Sequence, residues 1–163
     1  MAIVLTGIAV VAGAALGYVN SITAPTIEAI KAQQEKAAEL EVLNGQEGTA
    51  IKVTDPKGFG GALTVMVGLA QDGTVLGYKV LESSETPGLG AKADFWFQEG
   101  QKGNIIGKTA GKLEVSKDGG DVDAITASTI TSRAFLRCIN AAYEKLSESN
   151  ADGQSGATIK GER

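Results

Sequence analysis

Residues 1–19 contain no charged side chain and almost nothing polar beyond Thr6. No other feature constrains the chain so strongly. As a helix rising about 1.5 Å per residue, this run covers roughly 28 Å, close to the hydrocarbon thickness of a bilayer. A buried globular helix is usually shorter and carries a polar face. A cleaved signal peptide has a basic stretch ahead of a shorter apolar core, and no Lys or Arg precedes this run. The expectation is a transmembrane anchor over residues 1–20. Its small residues, Gly7, Gly13, Ala14, Ala15 and Gly17, suit close packing against other membrane helices. Charge leaves the orientation open, because only one flank of the run is present.

The segment after the anchor, Asn-Ser-Ile-Thr-Ala-Pro at residues 20–25, places a proline where a new helix can begin. A stalk helix is expected over residues 21–44. Its apolar positions are Ile27, Ile30, Ala37, Leu40 and Leu43, and Asn44-Gly45 stops it. The polar run at residues 31–36 reads as a solvated face.

Residues 45–147 carry the signals of one domain. Residues 62–69 and 74–81 are strand patterns joined by Gln71, Asp72 and Gly73, a hairpin turn. Residues 51–54 add a strand before this hairpin and residues 113–116 one after it. The glycines around Phe59 read as a flexible loop. Residues 132–146 turn helical, with Ala134, Phe135, Cys138, Ile139, Ala142, Tyr143 and Leu146 on one face. The polar, glycine-containing stretch 148–163 reads as a mobile tail.

Composition then removes whole classes of chemistry. The chain has no histidine, so the commonest general base and metal ligand is missing. Its single cysteine, Cys138, makes neither an internal disulfide nor a metal cluster, and in an apolar helix it acts as a small hydrophobe. No metal site and no catalytic side chain is expected. With 19 acidic against 15 basic residues, no basic stripe marks a nucleic-acid surface. No Rossmann or Walker glycine pattern supports a dinucleotide or NTP site. Redox chemistry, if the chain performs any, requires a borrowed cofactor.

Two segments stand out. Ser-Glu-Thr-Pro-Gly-Leu-Gly-Ala-Lys at residues 84–92 follows a predicted strand. Pro87-Gly88 sets a turn, Gly90 permits close backbone approach, and Glu85 and Thr86 bring a carboxylate and a hydroxyl. A plain connecting loop explains the same residues. The aromatic run Phe95, Trp96, Phe97 follows; such a cluster is usually core, though Trp96 also suits the edge of a cofactor ring. The second segment is Asp-Ala-Ile-Thr-Ala-Ser-Thr-Ile-Thr-Ser at residues 123–132, leading into the last helix. Its hydroxyls fit helix capping. They equally fit a phosphate site, where helix N-terminal amides and flanking hydroxyls converge.

In this order, the two segments together resemble the FMN-binding domain of the G-type subunit (RnfG) of the Rnf electron-transport complex. The C-type subunit of the Na⁺-translocating NADH:quinone reductase shares the pattern. The resemblance runs from the apolar helix to the last helix. It implies an α+β fold, with one N-terminal transmembrane helix followed by an FMN-binding domain of mostly antiparallel sheet and flanking helices. In that family a flavin transferase joins the FMN phosphate to a threonine hydroxyl within Asp-x-x-Ser/Thr-Gly-Ala-Thr. Asp123 matches the Asp, Thr126 the Ser/Thr and Thr129 the acceptor, while Ala127 and Ser128 replace the usual Gly and Ala. A closer literal match, Asp-Gly-Gln-Ser-Gly-Ala-Thr at residues 152–158, ends at Thr158, but no helix follows it. The stretch before Ile51 is shorter than the family usually shows.

The resemblance implies FMN on Thr129, with Ser128, Thr131, Ser132 and nearby amides around the phosphate. Glu85, Thr86, Leu89, Gly90 and Lys92 surround or support the ring. It further implies an electron-transfer subunit of a redox-driven ion translocase, without independent turnover. Its expected partners are the other membrane and iron-sulfur subunits of the complex and a flavin transferase. The anchor then lies in the cytoplasmic membrane as a single pass, with the FMN domain on the outer side. The quinone-reductase subunit and a non-redox, membrane-tethered ligand-binding module are the alternatives.

Overall fold

The computed structural model describes residues 1–154. Helix α1 spans Ala2–Leu43. The chain divides into two compact units, the first covering Met1–Lys36 and the second starting at Ala37.

The first unit is helical throughout. Its large apolar side chains, among them Ile3, Leu5, Ile8, Val11 and Leu16, are all exposed. Among the described residues, α1 is the one helix long and apolar enough to cross a membrane. The break expected ahead of Pro25 does not occur, since Pro25 lies inside α1. The proline ring removes one backbone donor. The residues around it behave as helix interior: Thr23 Oγ1 donates to the Val19 carbonyl at 2.8 Å, and Ser21 Oγ to that of Tyr18 at 2.8 Å. Hydroxyls returned to a preceding carbonyl sit in helices and do not cap them.

The second unit begins with the last turns of α1. Here Ala38 and Val42 are the buried positions, packed with Met66, whereas Leu40 is exposed. The face expected from Leu40 is therefore displaced to the i, i+4 pair Ala38 and Val42. The sheet explains why. Strands β1 (Thr49–Asp55), β2 (Leu63–Leu69) and β3 (Val75–Ser83) form an antiparallel sheet of order β1-β2-β3. Gly68 pairs with Gly77 across β2 and β3. A Cβ at either position would meet the Val42 carbonyl oxygen, at 2.3 and 2.6 Å. The two glycines form a shallow seat into which the backbone of Val42 settles.

The central strand is buried on both faces, which is why it reads as a nearly unbroken apolar run. Met66 faces the end of α1, while Leu63, Val65, Val67 and Leu69 join the main core. Helix α3 (Thr129–Gln154) supplies the other half of that core through Ala134, Phe135, Cys138, Ile139 and Ala142. Phe135 stacks on Phe97 at 4.3 Å between ring centroids and meets Tyr78 edge-on at 4.7 Å. The Tyr78 hydroxyl donates to the Ala93 carbonyl at 2.8 Å and accepts from the Phe97 N–H at 3.1 Å. Burial raises the pKa of that phenol.

Helix α3 is longer than its apolar face suggests. It starts at Thr129, because the Ser132 N–H already bonds the Ser128 carbonyl at 3.0 Å. It continues to Gln154, into the stretch expected to be a tail. Residues 147–152 contain neither Gly nor Pro, so each solvated turn simply propagates the helix. Thr158 lies outside the described residues.

The connection from Ser83 to α3 holds short elements: a 3-10 turn at Gly90–Lys92, helix α2 (Ala93–Trp96) and a 3-10 turn at Ser116–Asp118. The strand expected at residues 113–116 reduces to a single parallel bridge between Val115 and Val122. Asn140 on α3 takes the place of a neighbouring strand there. Its Oδ1 accepts from the Leu113 N–H at 3.0 Å, and its Nδ2 donates to the Leu113 carbonyl at 3.0 Å.

Candidate functional site

The loop after β3 and the start of α3 are 46 residues apart at Glu85 and Thr131, yet they meet. Thr131 Oγ1 donates to Glu85 Oε2 at 2.9 Å, and the Phe59 N–H donates to Glu85 Oε1 at 2.8 Å. One buried carboxylate thus fastens three segments. Ser128 Oγ extends the chain by donating to Thr131 Oγ1 at 3.0 Å. Gly90 must lack a side chain, because a Cβ there would stand 2.5 Å from Glu85 Oε2 and 2.8 Å from Thr131 Oγ1.

Around this latch lies a cleft of about 290 Å³. Glu85, Thr86, Leu89 and Gly90 form one wall; Ala127, Ser128, Thr129 and Ile130 form the other, and Phe59 completes the lining. Phe59, Leu89 and Ile130 leave 68, 40 and 50 % of their surfaces exposed. Thr129 stands half-buried at the first position of α3. The N–H groups of a helix's first turn have no intrahelical acceptor and carry the positive end of its dipole. Lys117 adds a full charge there, its Nζ donating to Thr129 Oγ1 at 3.4 Å. This end of the cleft suits an anion and the Phe59–Ile130 end suits a flat apolar group.

Ala127 turns the chain into the helix with φ +60°. That is the left-handed conformation, which an alanine adopts at a cost of about 1–2 kcal/mol. It occupies the position at which the resembled motif has glycine, a residue that adopts this conformation freely.

The remaining site residues named from the two motifs do not line the cleft. Thr131 and Ser132 are fully buried. The Ser132 hydroxyl accepts from the Ile125 N–H and donates to the Ser128 carbonyl, both at 2.9 Å. The hydroxyls expected to hold a phosphate are therefore spent inside the protein, and these positions brace the loop instead. Asp123 is exposed; its carboxylate accepts from Ser116 Oγ at 3.4 Å and its carbonyl from Trp96 Nε1 at 2.8 Å. That bond holds Trp96 against the loop before α3, and Trp96 does not line the cleft. Thr126 is exposed and Lys92 half-buried, and neither lines the cleft. Two residues that do belong here, Phe59 and Lys117, are absent from both motifs. Phe59 had a local signal, an aromatic side chain set among glycines; Lys117 had none.

A larger cavity of about 400 Å³ lies further along α3, lined by Leu113, Val115, Leu136 and Asn140 with Arg133 and Arg137. Its two guanidinium groups are committed. Arg133 clamps Asp118 through two bonds of 2.6 Å, and Arg137 clamps Asp55 at 2.6 and 3.1 Å. The arginines hold both carboxyl groups below their ordinary pKa. Cys138 nearby is buried, and desolvation pushes its thiol up to about 12, so it is inert at neutral pH.

Residues 58–144, which contain the entire cleft, match the model of the FMN-binding domain family. The chain belongs to this family. The FMN-binding domain is also similar to curated proteins named as the G subunit of an ion-translocating oxidoreductase complex. The Vibrio atlanticus protein is 35 % identical over 136 residues, 80 % of this chain and 65 % of the relative. That of Aliivibrio fischeri is 38 % identical over 121 residues, covering 71 and 57 %. The Yersinia pestis protein is 40 % identical over 94 residues, covering 55 and 45 %. The chain thus spans 45–65 % of the lengths of these relatives.

The cleft of this FMN-binding domain fits the nucleotide in chemistry. Its exposed apolar walls match the ring, and its helix start, hydroxyl and ammonium match the phosphate. Its volume of about 290 Å³ lies at the lower edge of small-molecule sites, about 300–1,000 Å³.

Proposed function

We propose that the domain carries FMN through a phosphoester on Thr129 and serves as an electron-transfer subunit of a membrane-bound, ion-translocating oxidoreductase of the Rnf type. The observation that carries this reading is the placement of Thr129. It is half-buried at a helix N-terminus, on the wall of a cleft that also exposes the apolar side chains Phe59, Leu89 and Ile130. In the linkage, Thr129 Oγ1 bonds to the flavin phosphorus. The hydroxyl proton passes to a base of the transferase, and the rest of an activated flavin nucleotide leaves.

FMN, when bound, supplies one- and two-electron transfer at neutral pH without any side-chain acid or metal. The chain's own residues position it. Thr129 and the first-turn amides of α3 hold the phosphate, while Phe59, Leu89 and Ile130 bracket the ring and exclude water. Glu85 keeps the two loops together through Thr131 and Phe59. Helix α1 anchors the domain in the cytoplasmic membrane, with the FMN on the outer side. There a tether prevents loss of a cofactor that is not readily replaced.

The relatives' names support the assembly, and the flavin transferase and the other subunits are its implied partners. The runner-up is the C-type subunit of the Na⁺-translocating NADH:quinone reductase, which shares the motif; identifying co-purifying proteins separates the two. Coexpression with a flavin transferase tests the cofactor. The protein should fluoresce under ultraviolet light on a denaturing gel, and Thr129→Ala should abolish the signal. Signal that survives in Thr129→Ala but disappears in Thr158→Ala moves the linkage to the tail. A protein without flavin absorbance favours a non-redox binding module.

A further inference from the structure

Lys117 reaches Thr129 from outside both motifs, and its backbone is fastened on either side. Ser116 Oγ donates to Asp123 Oδ1 at 3.4 Å, tying the turn to the acceptor loop. Asp118 receives both arms of Arg133, four residues after Thr129 on α3, tying the turn to the helix. The Ser116 N–H adds a bond of 2.8 Å to the Val122 carbonyl. Lys117 sits between these anchors with its Nζ 3.4 Å from Thr129 Oγ1. Among the described residues it forms no ion pair, while the adjacent acid, Asp118, is already occupied by Arg133.

We propose that Lys117 is the phosphate-binding cation of the cleft, its ammonium holding the phosphate oxygens of a flavin nucleotide at Thr129. The assignment rests on Thr129 as the attachment point. A neutral hydroxyl at 3.4 Å makes little use of an ammonium, whereas a phosphate oxygen two bonds beyond Oγ1 forms a charge-assisted hydrogen bond with it. A phosphodiester at Thr129 keeps one negative charge, which the first-turn amides of α3 and the Lys117 ammonium would share. Before the linkage forms, the same pair aligns the incoming phosphate with the Thr129 hydroxyl. The Ser116 and Asp118 anchors hold the lysine backbone in place, so only the side chain needs to adjust.

The test follows the rate of covalent labelling of the full chain by a flavin transferase and its flavin nucleotide donor, read as in-gel fluorescence. Wild type, Lys117→Gln, Lys117→Arg and Thr129→Ala are compared at low and at about 1 M salt. Lys117→Gln should label about three- to ten-fold more slowly at low salt. Lys117→Arg should recover most of the rate. The difference between wild type and Lys117→Gln should shrink at high salt, because an exposed ammonium is screened. Equal rates for wild type and Lys117→Gln, with Thr129→Ala unlabelled, overturn the Lys117 assignment alone. Equal, salt-independent slowing in the glutamine and arginine variants overturns it too, since it marks a structural role. Labelling that persists in Thr129→Ala overturns both this assignment and the attachment point.

Discussion

The Thr131 hydroxyl donates a 2.9 Å hydrogen bond to the buried carboxylate of Glu85, joining the loop after β3 to the first turn of α3. Because the Phe59 N–H bonds the other carboxylate oxygen, this side chain sets the spacing of all three segments that line the cleft. Several consequences of that geometry can be measured.

Glu85→Ala leaves a buried hydroxyl and a backbone N–H without their acceptor. The expected loss is about 1–3 kcal/mol, seen as a lower urea midpoint, with weaker flavin loading. Glu85→Gln keeps one carbonyl acceptor and should lose less on both counts. Equal midpoints for wild type and Glu85→Ala would mean that the latch contributes nothing.

Gly90→Ala drives a methyl group into the latch from the opposite side, 2.5 Å from Glu85 Oε2. The carboxylate or the turn must shift, at a cost of about 1–3 kcal/mol. Thermal unfolding and the fraction of flavinylated protein should both fall, and Gly88→Ala, although at positive φ, has open space for its methyl group. Wild-type loading of Gly90→Ala would show that the wall yields freely.

Ala127→Gly runs the other way. Glycine relieves about 1–2 kcal/mol of left-handed strain and loses part of that to the greater entropy of the unfolded chain. The net expectation is a stabilisation of about 0.5–1 kcal/mol, seen as a higher thermal midpoint. Destabilisation would contradict the strained geometry.

Asp55 on β1 is held by Arg137 of α3, which lowers its pKa from the ordinary 3.8. A carboxylate whose folded pKa is depressed contributes stability above its unfolded pKa and loses it as pH falls through the folded value. Stability should decline as pH drops below about 4, and Arg137→Gln should remove part of that acid limb. Parallel profiles for the two proteins would refute the link.

Much of this architecture was legible in the sequence because the signals were local. The uncharged run at the N-terminus, Asp72-Gly73 between two apolar strands, and the spacing of Ala134, Phe135, Cys138 and Ile139 each report on neighbours in the chain. The two motifs were visible as well, and they do meet. What stayed hidden depends on distant partners. Pro25 looks like a helix start, yet the turns on both sides of it keep their helical geometry. Leu40 and Val42 are both apolar, but it is Val42 that packs on the sheet, where Gly68 and Gly77 leave room for its backbone. Thr131 and Ser132 look like phosphate ligands until Glu85 and Ile125 are seen to occupy their hydroxyls. Lys117 sits in an ordinary polar turn, and the clamp between Asp118 and Arg133 is what brings it to Thr129.

The central claim is that Thr129 bears the flavin, and a peptide mass spectrum tests it most directly. After coexpression with a flavin transferase, trypsin should release residues 118–133 as one peptide containing Thr126, Ser128, Thr129 and Thr131. That peptide should gain the mass of one FMN less water, with fragmentation placing it on Thr129. An unmodified 118–133 peptide, or an FMN found instead on residues 146–160 at Thr158, would contradict the account.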